Sequence, residues 1–145
     1  MISPVDSQTL ANLVGQAMVQ DDQCARAHGI ILEEIGPGRA RMTMPVRPDM
    51  ANSHGICHGG MIFTLADACF AYACNSYNHV TVAAGCDIVF PNPAKLGDIL
   101  TAVAEEKHLK GRSGVYDVAV STQDGTVVGL FRGHSRRIQG AVLGS

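Results

Sequence analysis

Hydrophobic residues near the start of the chain recur with helical spacing and predict an amphipathic helix over roughly residues 7–20. Its apolar positions are Leu10, Leu13, Val14, Ala17 and Met18. Asp6 or Ser7 can serve as the N-terminal cap of this helix.

Alternating apolar and polar residues then predict β-strands. Two strands meet at Gly36-Pro37-Gly38, and in the second of them Ala40, Met42, Met44 and Val46 share one face. Four further strand-like segments span residues 80–90, 98–109, 113–122 and 126–137, and Gln123-Asp124-Gly125 forms a hairpin turn between the last two. Because consecutive strands joined by short turns pair antiparallel, we expect an antiparallel sheet.

Between the two groups of strands lies a long helix, predicted over roughly residues 60–76, that is apolar nearly all round. Such a helix is buried rather than surface-lying. The pattern therefore predicts an α+β fold in which one curved antiparallel sheet wraps a long central helix. One curled sheet leaves part of the helix bare and its own edge unpaired. We therefore expect at least a homodimer, in which a partner chain covers both.

Length and charge limit the function classes. The chain of 145 residues is most simply one domain, residues 1–145. Its net charge is −2 with no strongly basic stretch, so nucleic acid is not expected as the main partner. We find neither a signal-peptide pattern nor a membrane span, so we expect no membrane association. The five cysteines form no C-x-x-C pair, and they fit a reducing cytoplasm better than a disulfide scaffold.

Asp67 is the one charged residue in the apolar run from Met61 to Cys74. No Lys or Arg in that run can pair with it, and burying an unpaired carboxylate is costly or raises its pKa. Asp67 is satisfied by backbone or hydroxyl groups, or it simply faces a wet crevice. The functional alternative is a general base or nucleophile at the edge of an apolar pocket.

The turn into the long helix contains His58, Gly59 and Gly60. No Ser, Thr or Asp stands at the cap position, so we expect the first backbone N–H groups of the helix to be free. The N–H of Gly59 can then polarise a carbonyl oxygen. The alternative is that the two glycines only permit a tight turn.

Two other readings of this loop are weaker. His54 and His58 could form a metal pair, but the segment is a glycine-rich loop without a familiar ligand spacing, and we expect no metal. Cys57 next to His58 could suggest a thiol nucleophile, but neighbours in sequence seldom face each other.

The string H-G-x-x-H-G-G-x-x-x-x-L-A-D, residues 54–67, followed by an apolar helix resembles the hotdog-fold acyl-CoA thioesterases. The strings SGVYDVAV and LFRGHSRRI narrow the resemblance to thioesterases of phenylacetic acid degradation. The resemblance covers about residues 10–140 and implies a hotdog fold assembled as a dimer or as a dimer of dimers, a homotetramer. It also implies active sites shared between subunits.

The resemblance also implies residue roles. Asp67 matches the acid that activates water or attacks the thioester, and Gly59 matches the N–H that polarises its carbonyl. Asn52 matches a side chain that positions the reacting groups, and His58 matches a neighbouring site histidine. Many relatives have a water-holding hydroxyl where this chain has Ala83 and Ala84. Thr81 is the hydroxyl closest to that position.

In relatives, CoA lies near the segments that match PNPAK, KGRSG and the final basic strand. The resemblance therefore implies contacts of the pantetheine and phosphates with Lys95, Lys110, Arg112 and Arg137. Basic side chains are suited to phosphates, although a solvated charged face has the same composition.

The reaction that the resemblance implies is hydrolysis of an acyl-CoA to the acid and free CoA, without a cofactor. The implied acyl group is phenylacetyl or a ring-hydroxylated form of it. Two alternatives stay open: a hydratase or dehydratase on the same fold, and a non-catalytic acyl-CoA-binding module.

Overall fold

The structure is a computed structural model that describes residues 5–144. The helices are α1 (Ser7–Asp21), α2 (Gln23–Ala27) and α3 (Gly59–Asn75), with a 3-10 turn at Pro48–Met50. The strands are β1 (Ile31–Gly36), β2 (Arg39–Pro45), β3 (His79–Val89), β4 (Ile99–Lys110), β5 (Ser113–Ser121) and β6 (Val127–Ala141).

All six strands form one antiparallel sheet in the order β1-β2-β4-β5-β6-β3. β3 follows α3 in the chain and pairs with the last strand, β6, so β3 and β1 form the two edges of the sheet. Helix α3 packs against every strand of the sheet. The predicted α+β arrangement, a central helix wrapped by a curved antiparallel sheet, is confirmed.

The sheet holds α3 through small and aromatic side chains on its inner face. Cys69 is fully buried, and its thiol lies 3.3 Å from the carbonyl oxygen of Ala40 on β2 and 3.4 Å from that of Ala102 on β4. The ring of Phe70 packs against Gly133 of β6, where an added Cβ would lie 2.6 Å from a ring carbon. These contacts fix which face of α3 is turned away from the sheet.

The predicted helices and strands are all present, and the structure differs from the prediction at two places, helix α2 and the end of β6. Asp6 caps α1 by accepting a 2.9 Å hydrogen bond from the backbone N–H of Thr9. The four predicted alternating apolar residues are buried as expected: Ala40, Met42 and Met44 in β2, and Val46 just after it. The sequence does not predict helix α2, because five residues are too few to show a helical period. Asp22 caps this helix by accepting a hydrogen bond from the backbone N–H of Ala25. β6 also runs to Ala141, four residues past its predicted end.

Two surfaces stay uncovered, as the sequence predicts. Residues 82–87 of β3 are exposed, and the edge of β3 away from β6 has no strand partner among residues 5–144. The face of α3 opposite the sheet carries Gly60, Thr64, Asp67 and Ala71, none of them fully buried. A single domain over residues 1–145 stays a prediction. No helix within the described residues combines the length and hydropathy that crossing a bilayer requires.

Candidate active site

Asp67 lies in the middle of α3, on the half-buried face that the sheet does not cover. Its carboxylate accepts no hydrogen bond from any group within residues 5–144, and no fully buried side-chain oxygen there lacks a partner. The Asp67 oxygens therefore reach solvent. Partial burial raises the pKa of Asp67 above its usual value, and no neighbouring cation opposes that shift.

Two thiols share the surroundings of Asp67. Burial, followed by the charge of Asp67, raises the pKa of Cys74 to about 12, and the same two causes raise that of Cys86 on β3. Cys74 lies seven residues after Asp67, so the two project from nearly the same side of α3. A carboxylate that is half-buried, unpaired and flanked by neutral thiols has the chemistry of a general base or nucleophile.

The N terminus of α3 is capped, contrary to the sequence prediction. His58 is the N-cap residue, and its Nδ1 atom accepts a hydrogen bond of 3.2 Å from the backbone N–H of Gly60. The prediction of free N–H groups rests on the absence of Ser, Thr and Asp from the cap position, but a neutral imidazole nitrogen is also an acceptor. The N–H of Gly59 has no acceptor among residues 5–144.

Phe90, at the end of β3, covers Gly59. An added Cβ at Gly59 would lie 3.1 Å from a ring carbon of Phe90. The ring is about half exposed, so it forms a wall beside the free N–H rather than sealing it. Sequence reasoning did not single out Phe90, since a lone aromatic after a strand carries no functional signal.

Asn52 holds the loop that leads to His58. Its Oδ1 atom accepts hydrogen bonds from the backbone N–H groups of His54 (2.9 Å) and Ile56 (3.3 Å). Its side-chain NH₂ group has no acceptor within the described residues. Asn52 therefore combines an occupied acceptor with a donor that is free to meet a ligand.

The alternative readings of the loop gain nothing from the structure. Cys57 is buried, and burial raises the pKa of its thiol, which opposes thiolate formation. His54 is exposed. Across the part of the chain that the structure describes, no three His, Cys, Asp or Glu side chains are grouped to hold a metal ion.

Gly59 and Asp67 do not meet within one chain. They are eight residues apart on α3, which corresponds to about 12 Å along the helix axis. A thioester carbonyl cannot contact both at that separation. Asn52, His58 and Gly59 therefore lie together at one end of α3, while Asp67 lies two turns further on.

Thr81, Arg112 and Arg137 come together around a cavity of about 210 Å³ under the hairpin that joins β4 and β5. Cys74, Tyr116 and Ser135 also line this hairpin cavity. The hydroxyl of Thr81 donates to the carbonyl oxygen of His79, and its backbone N–H donates to Asn75 at the end of α3. The structure thus places Thr81 away from Asp67 of the same chain.

Lys110 faces the opposite side of the sheet. It lines an open groove of about 880 Å³ that also contains His108, Arg112, His134 and Arg136, called here the outer groove. Neither Lys110 nor Arg136 forms an ion pair with a carboxylate of residues 5–144. Sequence reasoning missed Arg136, although the alternation of a strand requires that Arg136 and Arg137 face opposite sides.

Lys95 does not join these cations. It precedes β4, where its backbone forms a bridge with Ile56 in the Asn52–His58 loop. Lys110 ends β4, so the length of that strand separates the two residues by roughly 35 Å. The four predicted phosphate-binding residues therefore form no single patch within one chain.

Comparison with known proteins places this site in a family. The model of the thioesterase superfamily matches residues 54–129, more than half of the chain. The acyl-coenzyme A thioesterase PaaI of Escherichia coli (strain K12) is 46% identical over 128 residues, which are 88% of this chain and 91% of that protein.

Solved structures agree. The E. coli PaaI protein from the phenylacetic acid degradation operon superposes with a TM-score of 0.92 at 43% identity, covering 94% of this chain and 99% of that one. A hypothetical thioesterase from Streptococcus pneumoniae TIGR4, solved with coenzyme A, has a TM-score of 0.80 at 25% identity, covering 86% of this chain and 98% of that one. The predicted hotdog fold is confirmed. The chain belongs to the thioesterase superfamily, and it is an enzyme that hydrolyses thioesters.

Proposed function

We propose that the thioesters are acyl-CoAs and that hydrolysis takes place at Asp67. The observation that carries the proposal is the Asp67 carboxylate itself, which is half-buried, unpaired within residues 5–144 and raised in pKa on the open face of α3. The similarity to E. coli PaaI and to a thioesterase solved with coenzyme A supports the choice of CoA esters.

The reaction adds water across the thioester bond. As general base, Asp67 takes a proton from water while the hydroxide attacks the carbonyl carbon, and the C–S bond then breaks to release CoA thiolate, which receives that proton. As nucleophile, a carboxylate oxygen of Asp67 attacks the carbonyl carbon and the C–S bond breaks, which releases CoA thiolate and leaves a mixed anhydride. Water then hydrolyses the anhydride to the free acid and the Asp67 carboxylate, and the proton released passes to the CoA thiolate. In both routes negative charge develops on the carbonyl oxygen, where the N–H of Gly59 would stabilise it.

The side chains around Gly59 fit supporting roles. The free NH₂ of Asn52 can donate a hydrogen bond to the carbonyl oxygen or to the attacking water. His58 would keep the start of α3 in place. Because Nδ1 of its ring accepts a hydrogen bond, the neutral ring carries its proton on Nε2, which is a second donor beside the NH₂ of Asn52.

We further propose that the enzyme works as a homodimer, or as a dimer of dimers, with shared sites. The unpaired edge of β3 and the bare face of α3 support this assembly, because a partner chain would cover both. If the α3 helices of two copies run antiparallel across a two-fold axis, Gly59 of one subunit lies near Asp67 of its partner. One carbonyl could then contact both groups.

For the CoA phosphates we propose the outer groove, with Lys110, Arg112 and Arg136 as the cations. All three lack carboxylate partners within residues 5–144, and charge-assisted hydrogen bonds are the strong interactions of phosphates. Lys95 lies at the other end of the subunit, and an antiparallel partner would bring a second copy of the groove towards it.

The acyl group that we propose is phenylacetyl or a ring-hydroxylated phenylacetyl group. The sequence similarity to PaaI, whose structure is described as part of a phenylacetic acid degradation operon, supports this choice. The five free cysteines support a reducing cytoplasm as the location.

The test is thiol release from a panel of acyl-CoAs, followed with a thiol reagent. The panel contains acetyl-, hexanoyl-, benzoyl-, phenylacetyl- and hydroxyphenylacetyl-CoA. We expect the highest kcat/KM for the arylacetyl esters. If no ester of the panel releases thiol, the acyl-CoA proposal is wrong, and water addition to an enoyl-CoA then distinguishes a hydratase from a binding module.

A further inference from the structure

The hairpin cavity holds a hydroxyl group that forms no hydrogen bond within the described residues. Ser135 is only 4% exposed, and its Oγ atom forms no hydrogen bond with any group of residues 5–144. Since no fully buried side-chain oxygen there lacks a partner, this Oγ is accessible from outside the protein. Ser135 lines both the hairpin cavity and the outer groove, but strand alternation turns its side chain to the same side as Arg137, which lines the hairpin cavity alone. An accessible hydroxyl group that no protein atom engages is free to donate to and accept from a bound molecule.

The other hydroxyl groups of the cavity are occupied. Those of Tyr77 and Tyr116 both donate to Oε1 of Glu106, at 2.9 and 3.0 Å. That of Thr81 donates to the carbonyl oxygen of His79. Within the described residues, Ser135 is therefore the one hydroxyl of the cavity whose proton is still available.

The cavity has the size of one substituted ring. Its volume is about 210 Å³, whereas an engineered apolar cavity of about 150 Å³ binds benzene. The aromatic rings of Tyr77 and Tyr116 and the side chain of Leu109 supply apolar wall. The guanidinium group of Arg137 can lie over the face of an aromatic ring.

The cavity also lies at the right distance from Asp67. Cys74, which lines it, is seven residues further along the same side of α3, or about 10.5 Å. A carbonyl carbon in contact with Asp67 lies about 3–3.5 Å from the attacking atom. In a 4-hydroxyphenylacetyl group, the carbonyl carbon and the para oxygen are about 7 Å apart. Ala71, half-buried between Asp67 and Cys74, leaves room for the chain to pass.

We propose that the hairpin cavity receives the aryl ring of the substrate and that Ser135 Oγ forms a hydrogen bond with a hydroxyl group on that ring. This proposal rests on the proposed function. Ser135 is then the residue that favours ring-hydroxylated phenylacetyl-CoA over the unsubstituted ester. Gly114, on the neighbouring strand, keeps the space beside this hydroxyl open, because an added Cβ there would lie 2.7 Å from Ser135 Oγ.

The experiment compares Ser135→Ala with the wild type on phenylacetyl-CoA and on its 2-, 3- and 4-hydroxy derivatives. We expect kcat/KM to fall about tenfold for at least one hydroxylated ester, the value of one hydrogen bond, and to stay within twofold for phenylacetyl-CoA. Ser121→Ala, the same change at the far end of β5 and outside both the hairpin cavity and the outer groove, should alter neither.

A fall that is equal for all four esters, or no fall, overturns the role of Ser135 and leaves the proposed activity standing, because the wild type still hydrolyses them. If the wild type hydrolyses none of the four but does hydrolyse aliphatic acyl-CoAs, the arylacetyl substrate and the role of Ser135 both fail. As a readout without turnover, hydroxyphenylacetate should bind the wild type more tightly than phenylacetate, and Ser135→Ala should remove that difference.

Discussion

His58 accepts a hydrogen bond from the N–H of Gly60 at 3.2 Å, and this contact leaves the preceding N–H, that of Gly59, as the free donor at the start of α3. Capping by His58 and the proposed activation of the carbonyl by Gly59 are thereby divided between two adjacent residues. The acceptor at Nδ1 also fixes the neutral ring with its proton on Nε2. His58 is consequently a structural cap whose Nε2–H is also available for the contact with the substrate that we propose.

The two functions of His58 predict different outcomes for two substitutions. His58→Ala removes the cap and should lower the free energy of unfolding by about 1 kcal/mol. His58→Asn supplies another good N-cap and should restore the stability. Activity should fall in both variants if Nε2–H contacts the substrate. Thermal unfolding and thiol release measure the two effects, and an Asn variant with wild-type turnover would limit His58 to capping.

Asp67→Asn should lower turnover by ~10²-fold or more, because it keeps the size of the side chain and removes the base or nucleophile. Binding of CoA ester should be retained, since the amide introduces no bulk. Single-turnover thiol release and equilibrium binding test the two statements separately. Turnover near the wild-type value would rule out the mechanism proposed here.

The same variant should be more stable than the wild type at neutral pH. Burial raises the pKa of Asp67 in the folded state, so the ionised carboxylate destabilises the fold above that pKa. The cost is absent below the unfolded-state pKa, where Asp67 is protonated in both states. The gain in unfolding free energy from Asp67→Asn should therefore shrink as the pH falls towards about 4 and be absent below it. A gain that is independent of pH would contradict this origin.

Asn52 offers a matched pair of substitutions. Asn52→Asp keeps an oxygen for the N–H groups of His54 and Ile56 but removes the free NH₂ donor. Asn52→Ala removes both. We expect Asp to lower kcat with little change in melting temperature, and Ala to lower both. Equal melting temperatures for the two variants would mean that the loop does not depend on Oδ1.

Arg136→Gln should raise KM for CoA esters several-fold with little change in kcat, because it removes a phosphate contact remote from the thioester. It should also weaken the dependence of KM on salt. Arg41→Gln is the control: it is the same charge change on the outer face of β2, where Glu34 keeps Arg39 as a partner. Equal effects of both substitutions would indicate general electrostatics rather than a site.

The sequence contains enough to predict the sheet, the buried helix and the uncovered surfaces, because each depends on a local period. It also identifies Asp67, since a carboxylate in an apolar helix conflicts with its surroundings. The Nδ1 cap could not be predicted, because it depends on the rotamer of His58. Strand alternation could have predicted that Arg136 and Arg137 face opposite sides of the sheet. Ser135 could not be predicted, because it stands out only once the hydrogen bonds of the other hydroxyl groups in the cavity are known.

The separation of Gly59 and Asp67 gives the sharpest test of the assembly. About 12 Å of helix lies between them, so a site that uses both must combine two subunits. Gly59→Val should block the donor, because a Cβ there already lies 3.1 Å from the ring of Phe90. Each homodimer, Gly59→Val or Asp67→Asn, should then be inactive.

Mixed dimers of these two variants should recover activity. One of their two sites combines the intact Gly59 of one subunit with the intact Asp67 of the other, while the second site carries both substitutions. Random mixing makes half of the dimers mixed, and each has one of two sites intact, so about a quarter of wild-type activity is expected after refolding together. Subunit exchange is verified independently with two tags of different mass. If mixed dimers form and activity stays at the level of the parents, Gly59 and Asp67 do not act on the same carbonyl, and one of the two must lose its proposed role.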